Sequence, residues 1–215
     1  TPLAILRGYI DLLLADKVGQ LLPAQRDVLA EMNSTRVRLE HFIEDFLSYS
    51  AIATGKLRLR IKPNDLNLCL SEICEMWLTK FQDKLVAFYR LESVTIDPFP
   101  FDLFKVQHII SNLLHNAYKF TPSKGSVWLS AEPYYWERRT RVGSVEKERR
   151  ASAIHEPNSV RVTVSDTGPG IGPESHLEIF EHFYRGSLSD DSSGTGLGLA
   201  VARSLVQAHG GKTVS

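Results

Sequence analysis

The sequence predicts an α+β chain in which a helical hairpin precedes an α/β sandwich. Three observations support this: an apolar heptad seam within the first 60 residues, strands and helices that interleave afterwards, and an amphipathic helix in the middle of the chain. Of the 215 residues, 43% are apolar, which is enough for a substantial core. We therefore expect two domains, residues 1–60 and residues 61–215.

Charge and composition narrow the classes of partner. Lys plus Arg number 25 and Asp plus Glu also number 25, so the net charge of zero argues against nucleic acid or an anionic membrane as partner. No apolar run approaches the roughly 18 residues of a membrane span, so any membrane attachment would come from a segment upstream. With only two cysteines, Cys69 and Cys74, the chain fits a reducing compartment, and we expect a cytoplasmic location.

Two helices joined by a short turn are expected at the start of the chain. Residues 1–16 place apolar side chains at steps of three and four, Pro23 fits the first turn of a second helix, and Gly55 can cap its end. The second helix carries a heptad seam of Val28, Met32, Thr35, Leu39, Phe42, Phe46 and Tyr49. Since so small a hairpin cannot bury both faces, we expect a homodimeric four-helix bundle; the alternative packs the seam against the rest of the same chain.

The later elements follow from hydrophobic period and from helix and strand breakers. Helices are predicted at 66–84 and 199–208, and Asp102 can cap the central helix. Alternating apolar residues predict strands at 57–61, 86–91, 94–96, 126–131 and 160–164. Pro63, Pro98 and Pro100 are expected to interrupt the strands near them.

The central helix, residues 107–121, carries the first candidate site. Asn112, Asn116 and Lys119 fall at i, i+4 and i+7, so two carboxamides and one ammonium share a stripe beside the apolar face. A carboxamide oxygen can ligate a hard cation, and a lysine offers a phosphate a point charge. The stripe therefore fits a Mg²⁺–triphosphate, although a polar, solvated helix side has the same pattern.

Three further stretches decide between these interpretations. Asp166-Thr167-Gly168-Pro169-Gly170-Ile171 follows a strand pattern, Ile179 to Arg185 is rich in aromatic residues, and Gly194-Thr195-Gly196-Leu197-Gly198-Leu199 precedes a helix. With the central helix, they resemble the N, G1, F and G2 boxes of the sensor histidine kinases of two-component systems. Thr1 to Ile5 resembles the tail of that family's H box. The resemblance implies the Bergerat ATP-binding fold, which DNA gyrase and mismatch-repair ATPases share.

The resemblance assigns the adenine contact to Asp166, whose carboxylate would accept from the N6 amine. Gly168 and Gly170 would let the backbone approach the base, and Ile171 would pack on the purine. An Asx-type turn before Gly168 is the structural alternative for this aspartate.

At the phosphate end, the resemblance makes Asn116 the Mg²⁺ ligand and Lys119 a phosphate contact, with Phe120 beside the nucleotide. Asn112 stands where ATP-hydrolysing relatives usually carry a glutamate that activates water. A carboxamide cannot serve as a base, so Asn112 favours phosphoryl transfer over hydrolysis.

Residues 172–197 would form the ATP lid. Tyr184 is expected at the nucleotide, and Arg185 is expected to reach the γ-phosphate or the hairpin, with a surface arginine as the alternative. The glycines of the last box lead into a helix whose free amides can meet phosphate oxygens. The nucleotide-contacting residues expected there are Gly194, Thr195, Gly196, Leu197, Gly198 and Leu199.

The phosphoacceptor is expected outside the sequence. In the family it is a histidine four residues before the position of Thr1, so the chain is expected to begin just after it and also to lack a final strand. Thr1 matches a threonine implicated in dephosphorylating the response regulator. Residues 133–158 replace a tight hairpin and are expected to form a mobile loop or a docking surface.

The function implied is the catalytic core of a sensor histidine kinase, with ATP and Mg²⁺ as cofactors and a response-regulator receiver domain as partner. The alternative is an ATP-binding pseudokinase or interaction module without transfer activity.

Overall fold

The computed structural model describes residues 2–91, 95–136, 156–176, 178–184 and 195–214. Within it the chain forms two compact units. The first comprises residues 1–58 and 179–201, and the second comprises residues 59–178 and 202–215. The boundary after residue 58 lies close to the one predicted after residue 60. The prediction, however, divided the chain at that single point, whereas residues 179–201 are grouped with the hairpin.

The first unit begins with helices α1 (Pro2–Leu14) and α2 (Pro23–Ala53). Pro23 opens α2 at a position where its missing N–H costs nothing. At the other end Gly55 adopts φ 65°, and the N–H of Lys56 donates to the Ala51 carbonyl at 2.8 Å. This is a Schellman cap, and it confirms the predicted role of Gly55.

The hairpin buries polar side chains and exposes apolar ones. Arg36, Asp45 and Ser48 on α2 are buried, and Arg36 lies 2.6 Å from Glu40. The seam residues described by the sequence pattern are exposed by the following fractions: Val28 60%, Met32 46%, Leu39 43%, Phe42 39% and Phe46 48%. The apolar stripe of α2 is therefore not covered by the described part of this chain.

The second unit holds two sheets and two complete helices. Strands β1 (Lys62–Asn64) and β3 (Phe99–Phe101) form an antiparallel pair. Strand β2 (Ala87–Leu91) runs parallel to β4 (Ser126–Tyr134), which pairs antiparallel with β5 (Ser159–Asp166). Helices α3 (Leu66–Asp83) and α4 (Leu103–Phe120) lie between them in sequence, and α5 (Gly198–Ala208) follows.

The core lies between the helices and one face of the β2–β4–β5 sheet. Its most deeply buried members come from α3, α4 and β4 and include Ile73, Phe81, Ile110, Leu114, Val127 and Leu129. On the opposite face of the sheet Tyr89 and Trp128 stack with ring centroids 6.1 Å apart, and Tyr89 remains 48% exposed. The unit is thus the two-layer α/β arrangement expected from the interleaved pattern.

Three local predictions for the strands were wrong. Residues 57–61 form no strand, and the strand lies at Lys62–Asn64 instead. Period-2 alternation marks an extended chain, whereas a strand also needs a partner. Pro63 and Pro100, expected as breakers, face each other in the β1–β3 pair. A two-stranded pair has only edges, where a missing N–H is tolerated. Thr95 and Ile96 are not in a strand.

Asp102 anchors the start of α4, as predicted. Its carboxylate accepts from the Lys105 N–H at 3.1 Å and from the Arg60 N–H at 2.7 Å. The backbone N–H of Asp102 donates to Nε2 of His209, whose Nδ1 lies 2.8 Å from the Leu205 carbonyl. The end of α5 thereby holds the beginning of α4.

Strand β4 extends through Pro133 to Tyr134, so the first residues of the predicted loop 133–158 belong to the sheet. Most of that loop, residues 137–155, lies outside the described residues. Among the described helices, none combines the length and the apolar character of a membrane span.

Candidate functional site

The polar stripe of α4 is largely withdrawn from solvent. Asn112 is 8% exposed, and Asn116 and Lys119 are half-buried. Phe120 ends the helix with 38% of its surface exposed, and the Lys119 ammonium lies 4.5 Å from the centre of its ring. A merely solvated helix side would leave Asn112 exposed, so its burial argues against that alternative.

The loop after β5 carries the predicted adenine contact. Asp166 is exposed, and its Oδ1 accepts from the Gly168 N–H at 2.7 Å. This is the Asx-type turn considered as the alternative, and it fixes the carboxylate. No other described residue donates a hydrogen bond to Asp166, so Oδ2 can accept from a ligand. Gly170 adopts φ 75° and Ile171 is 48% exposed.

Close packing brings this loop against the end of α4. A Cβ on Gly168 would lie 3.2 Å from the Phe120 carbonyl oxygen and 2.6 Å from Asp166 Oδ1, so a side chain there would displace the carboxylate. The Thr167 hydroxyl accepts from the Ser126 N–H at 2.9 Å, tying the loop to the start of β4. The structure therefore places the Asp166 turn beside the last turn of the Asn112–Lys119 stripe.

The candidate lid residues belong to the first unit. The Phe183 N–H donates to the Gly196 carbonyl at 2.9 Å, and a Cβ on Gly196 would lie 2.7 Å from the Tyr184 carbonyl oxygen. Gly196 also has φ 69°, so both space and backbone conformation require glycine there. Thr195 accepts from the Leu197 N–H at 3.2 Å. The two sides of the lid are thus held together at their described ends.

The same segment contacts the hairpin within the first unit. The ring of Tyr49 on α2 lies 4.8 Å from that of His182 and 6.1 Å from that of Phe183. This end of the predicted seam therefore packs on the chain itself, as the alternative proposed, whereas the seam from Val28 to Phe46 stays exposed.

The remaining candidates fall as follows. Leu197 is fully buried, Gly198 opens α5, and Leu199 and Tyr184 are half-buried. Thr1, Arg185 and Gly194 lie outside the described residues.

Sequence reasoning missed one residue at this site. The Lys84 ammonium donates to the carbonyl oxygens of Tyr118 and Lys119 at the end of α4, the second at 3.2 Å. Partial burial lowers the pKa of Lys84. The contact spans some 35 residues, and nothing in the local pattern at the end of α3 signals it.

Comparison with known proteins identifies the family. Residues 102–215 match the family described as histidine kinase-, DNA gyrase B-, and HSP90-like ATPase, which is more than half of the chain. The chain belongs to this ATPase family. The match begins at Asp102, the residue that caps α4, and takes in the stripe, the Asp166 turn and the glycine-rich box.

Relatives of this ATPase domain are sensor histidine kinases, which confirms the resemblance. The circadian input-output histidine kinase CikA of Synechococcus elongatus is 31% identical over 220 residues, covering 98% of this chain and 26% of CikA. The signal transduction histidine-protein kinase BaeS of Escherichia coli is 28% identical, covering 100% of this chain and 41% of BaeS. The chain thus spans less than half the length of either relative.

Solved structures support the fold. ShkA in complex with AMPPNP has a TM-score of 0.63 at 23% identity, covering 100% of this chain and 43% of that one. The Acinetobacter baumannii histidine kinase AdeS has a TM-score of 0.57 at 21% identity, covering 97% of this chain and 84% of that one. The arrangement of helices on a mixed sheet is consistent with the Bergerat ATP-binding fold.

The residues present fit a magnesium nucleotide. The stripe offers carboxamide oxygens and one ammonium, which are the donors that a hard cation and a phosphate need. Oδ2 of Asp166 is a suitable acceptor for an amine, and the glycine at 168 leaves the neighbouring backbone open to a flat base.

Proposed function

We propose that this chain is the catalytic core of a sensor histidine kinase. In this proposal it binds ATP with Mg²⁺ and supports phosphoryl transfer to a histidine of the helix hairpin, and from there to an aspartate of a response-regulator receiver domain. The observation that carries the proposal is the packing of the Asp166 turn against the end of the Asn112–Lys119 stripe, of which Asn112 is buried. This arrangement can hold both ends of one nucleotide.

The adenine end would be read by Asp166. The Gly168 N–H holds one carboxylate oxygen, which leaves the other to accept from the N6 amine of a base. Ile171, 48% exposed, supplies an apolar surface for the purine. Gly170, which lies between Asp166 and Ile171, has no side chain that would keep the base away from the backbone.

The phosphate end would be held by α4. Asn116 would ligate Mg²⁺ through its carboxamide oxygen, and Lys119 would contact a phosphate. When bound, Mg²⁺ neutralises phosphate charge and orients the transferring group. Asn112, which has no basic group, leaves water unactivated, and so favours transfer to a protein acceptor.

The lid would close the site through residues on both of its sides. Tyr184, Gly196 and the amides at the start of α5 would contact the nucleotide, with Arg185 and Gly194 completing the set from outside the described residues. The hydrogen bond from the Phe183 N–H to the Gly196 carbonyl supports a common role for the two ends of this segment. We place this domain in the cytoplasm, where ATP is available.

The hairpin would supply the dimer and the acceptor histidine. The exposed apolar seam from Val28 to Phe46 supports dimerisation, since the described chain leaves it uncovered. Arg36 and Asp45 are buried on another side of α2, where Arg36 forms an ion pair with Glu40 at 2.6 Å.

The test is phosphoryl transfer in trans. The chain is incubated with γ-labelled ATP and with a longer version that includes the histidine expected four residues upstream of Thr1 and carries Asn116→Ala. We expect acid-labile label on the longer chain alone, because it has the acceptor but a disabled metal site. The control is the longer chain by itself, which should stay unlabelled.

Two outcomes would contradict the proposal. Label on the shorter chain would mean that the acceptor is a different histidine. Label on neither chain, with ATP binding established by calorimetry, would favour the pseudokinase interpretation.

A further inference from the structure

A lysine from a neighbouring helix caps the carbonyl end of α4. The Lys84 ammonium donates to the carbonyl oxygens of Tyr118 and Lys119 and lies 4.9 Å from the centre of the Tyr118 ring. These carbonyls belong to the last turn of the helix, where no intrahelical N–H remains to pair with them. Lys84 therefore replaces the missing donors from outside the helix.

The local backbone holds Lys84 rigidly in this place. It is the C-cap of α3, followed by Leu85 at φ 59°. The Leu85 N–H donates to the Gln82 carbonyl at 2.9 Å and the Val86 N–H to the Phe81 carbonyl at 2.9 Å, which together make a Schellman cap. The Lys124 N–H donates to the Leu85 carbonyl at 2.8 Å, so the turns after α3 and α4 are bound to each other.

The end of α4 is also where the candidate nucleotide contacts lie. Lys119 and Phe120 stand on the last turn, and the Phe120 carbonyl faces Gly168 of the adenine loop. A helix C-terminus carries roughly half a negative charge, which repels phosphates nearby. A cation fixed on those carbonyls removes most of that repulsion.

We infer that Lys84 is a positioning residue of the nucleotide site: it neutralises the carbonyl end of α4 and fixes the turn that presents Lys119 to the phosphates. The inference rests on the nucleotide site of the proposed function. It concerns the phosphates only, because among the described residues the Lys84 ammonium donates to the carbonyls of Tyr118 and Lys119 and to no residue of the adenine loop.

The test measures ATP and adenosine affinity by calorimetry in Lys84→Met. We expect ATP affinity to fall about 3- to 10-fold, the scale of a helix-terminus charge in a partly buried position, while adenosine affinity changes less than about 2-fold. Lys84→Arg should restore ATP affinity. Lys80→Met is the matched control: Lys80 lies one turn earlier on α3, 4.4 Å from the Trp77 ring, and donates to no described carbonyl.

Thermal unfolding shows whether each variant is folded. Should Lys84→Met not fold, Lys84→Gln takes its place, since it keeps an N–H donor and removes only the charge; a loss confined to ATP then supports the inference. Equal losses for ATP and adenosine, or no loss in the folded variant, would overturn it while leaving the proposed function intact. A wild-type chain that binds no ATP would overturn both.

Discussion

At the scale of single residues, the candidate site depends on how backbone contacts orient a few side chains. Gly168 fixes one oxygen of Asp166, and glycine is required there by the distances to its neighbours. Thus the same hydrogen bond that forms the Asx-type turn also orients the carboxylate. Asp166 can therefore form the turn and also bind adenine. Whether it does bind adenine is tested by the nucleotide specificity of the chain.

Nucleotide choice is therefore the first prediction. Asp166→Asn should weaken ATP binding by about 1–3 kcal/mol, because a charged acceptor for the N6 amine is lost. Wild type should prefer ATP to GTP, since guanine lacks that amine. Calorimetry with both nucleotides checks this, with the exposed Asp97→Asn as control. Equal wild-type affinity for ATP and GTP would contradict the adenine assignment.

Some residue roles were predictable because their causes are local. The capping roles of Asp102 and Gly55 follow from short-range rules, and both are confirmed. Lys84 was not predictable, because its partners lie on another helix and the pattern at its own position is only that of a helix end. The proposed nucleotide contacts of Asn112, Asn116 and Lys119 stay predictions.

At the scale of elements, the end of α3 places Lys84 at the carbonyl end of α4 and has a strained backbone. Leu85 occupies the left-handed region, which a residue with a Cβ adopts at a cost of about 1–2 kcal/mol. Its side chain is 67% exposed and contributes little burial to offset that cost. The conformation belongs to the Schellman cap of α3, and the Leu85 carbonyl in it accepts from the Lys124 N–H at 2.8 Å.

Leu85→Gly should accordingly stabilise the domain. We expect the free energy of unfolding to rise by roughly 0.5–1 kcal/mol, since relief of the strain is partly offset by the greater freedom of glycine in the unfolded chain. Urea unfolding measures it. Leu85→Ala, which keeps the Cβ, is the control and should show no gain. A loss of stability in the glycine variant would show that the Leu85 side chain matters more than its backbone.

The strands show where element prediction fails. Residues 57–61 alternate as a strand should but have no partner, whereas Pro63 and Pro100 pair although proline usually interrupts a sheet. Pairing partners are set by the tertiary fold and not by local period. Helices α3 and α4 and strands β4 and β5 were predictable because their apolar patterns coincide with faces that the core buries.

At the scale of the whole molecule, the hairpin has an uncovered apolar seam. The aromatic and aliphatic side chains of the seam from Val28 to Phe46 are exposed by 39–60%, while Arg36 and Asp45 are buried on another side of the same helix. In water this distribution is unfavourable for an isolated chain. The proposed dimer would bury this seam against a second copy.

Dimerisation is the prediction at this scale. Phe42→Asp should give monomers in light scattering, because an unpaired charge within a buried seam is costly. Glu44→Lys, an exposed position outside the seam, should leave the mass unchanged. A wild-type chain that is monomeric at high concentration would contradict the dimer, as would a Phe42→Asp variant that stays dimeric.

The grouping of residues 179–201 with the hairpin bears on how such kinases can be recombined. These residues are contiguous in sequence with the ATP-binding unit, yet two of them, His182 and Phe183, contact Tyr49 of α2 within the first unit. A chimera spliced after residue 58 would therefore separate the Tyr49 surface from the lid that matches it. Exchanging the hairpin between relatives should succeed more often when residues 179–201 are exchanged with it.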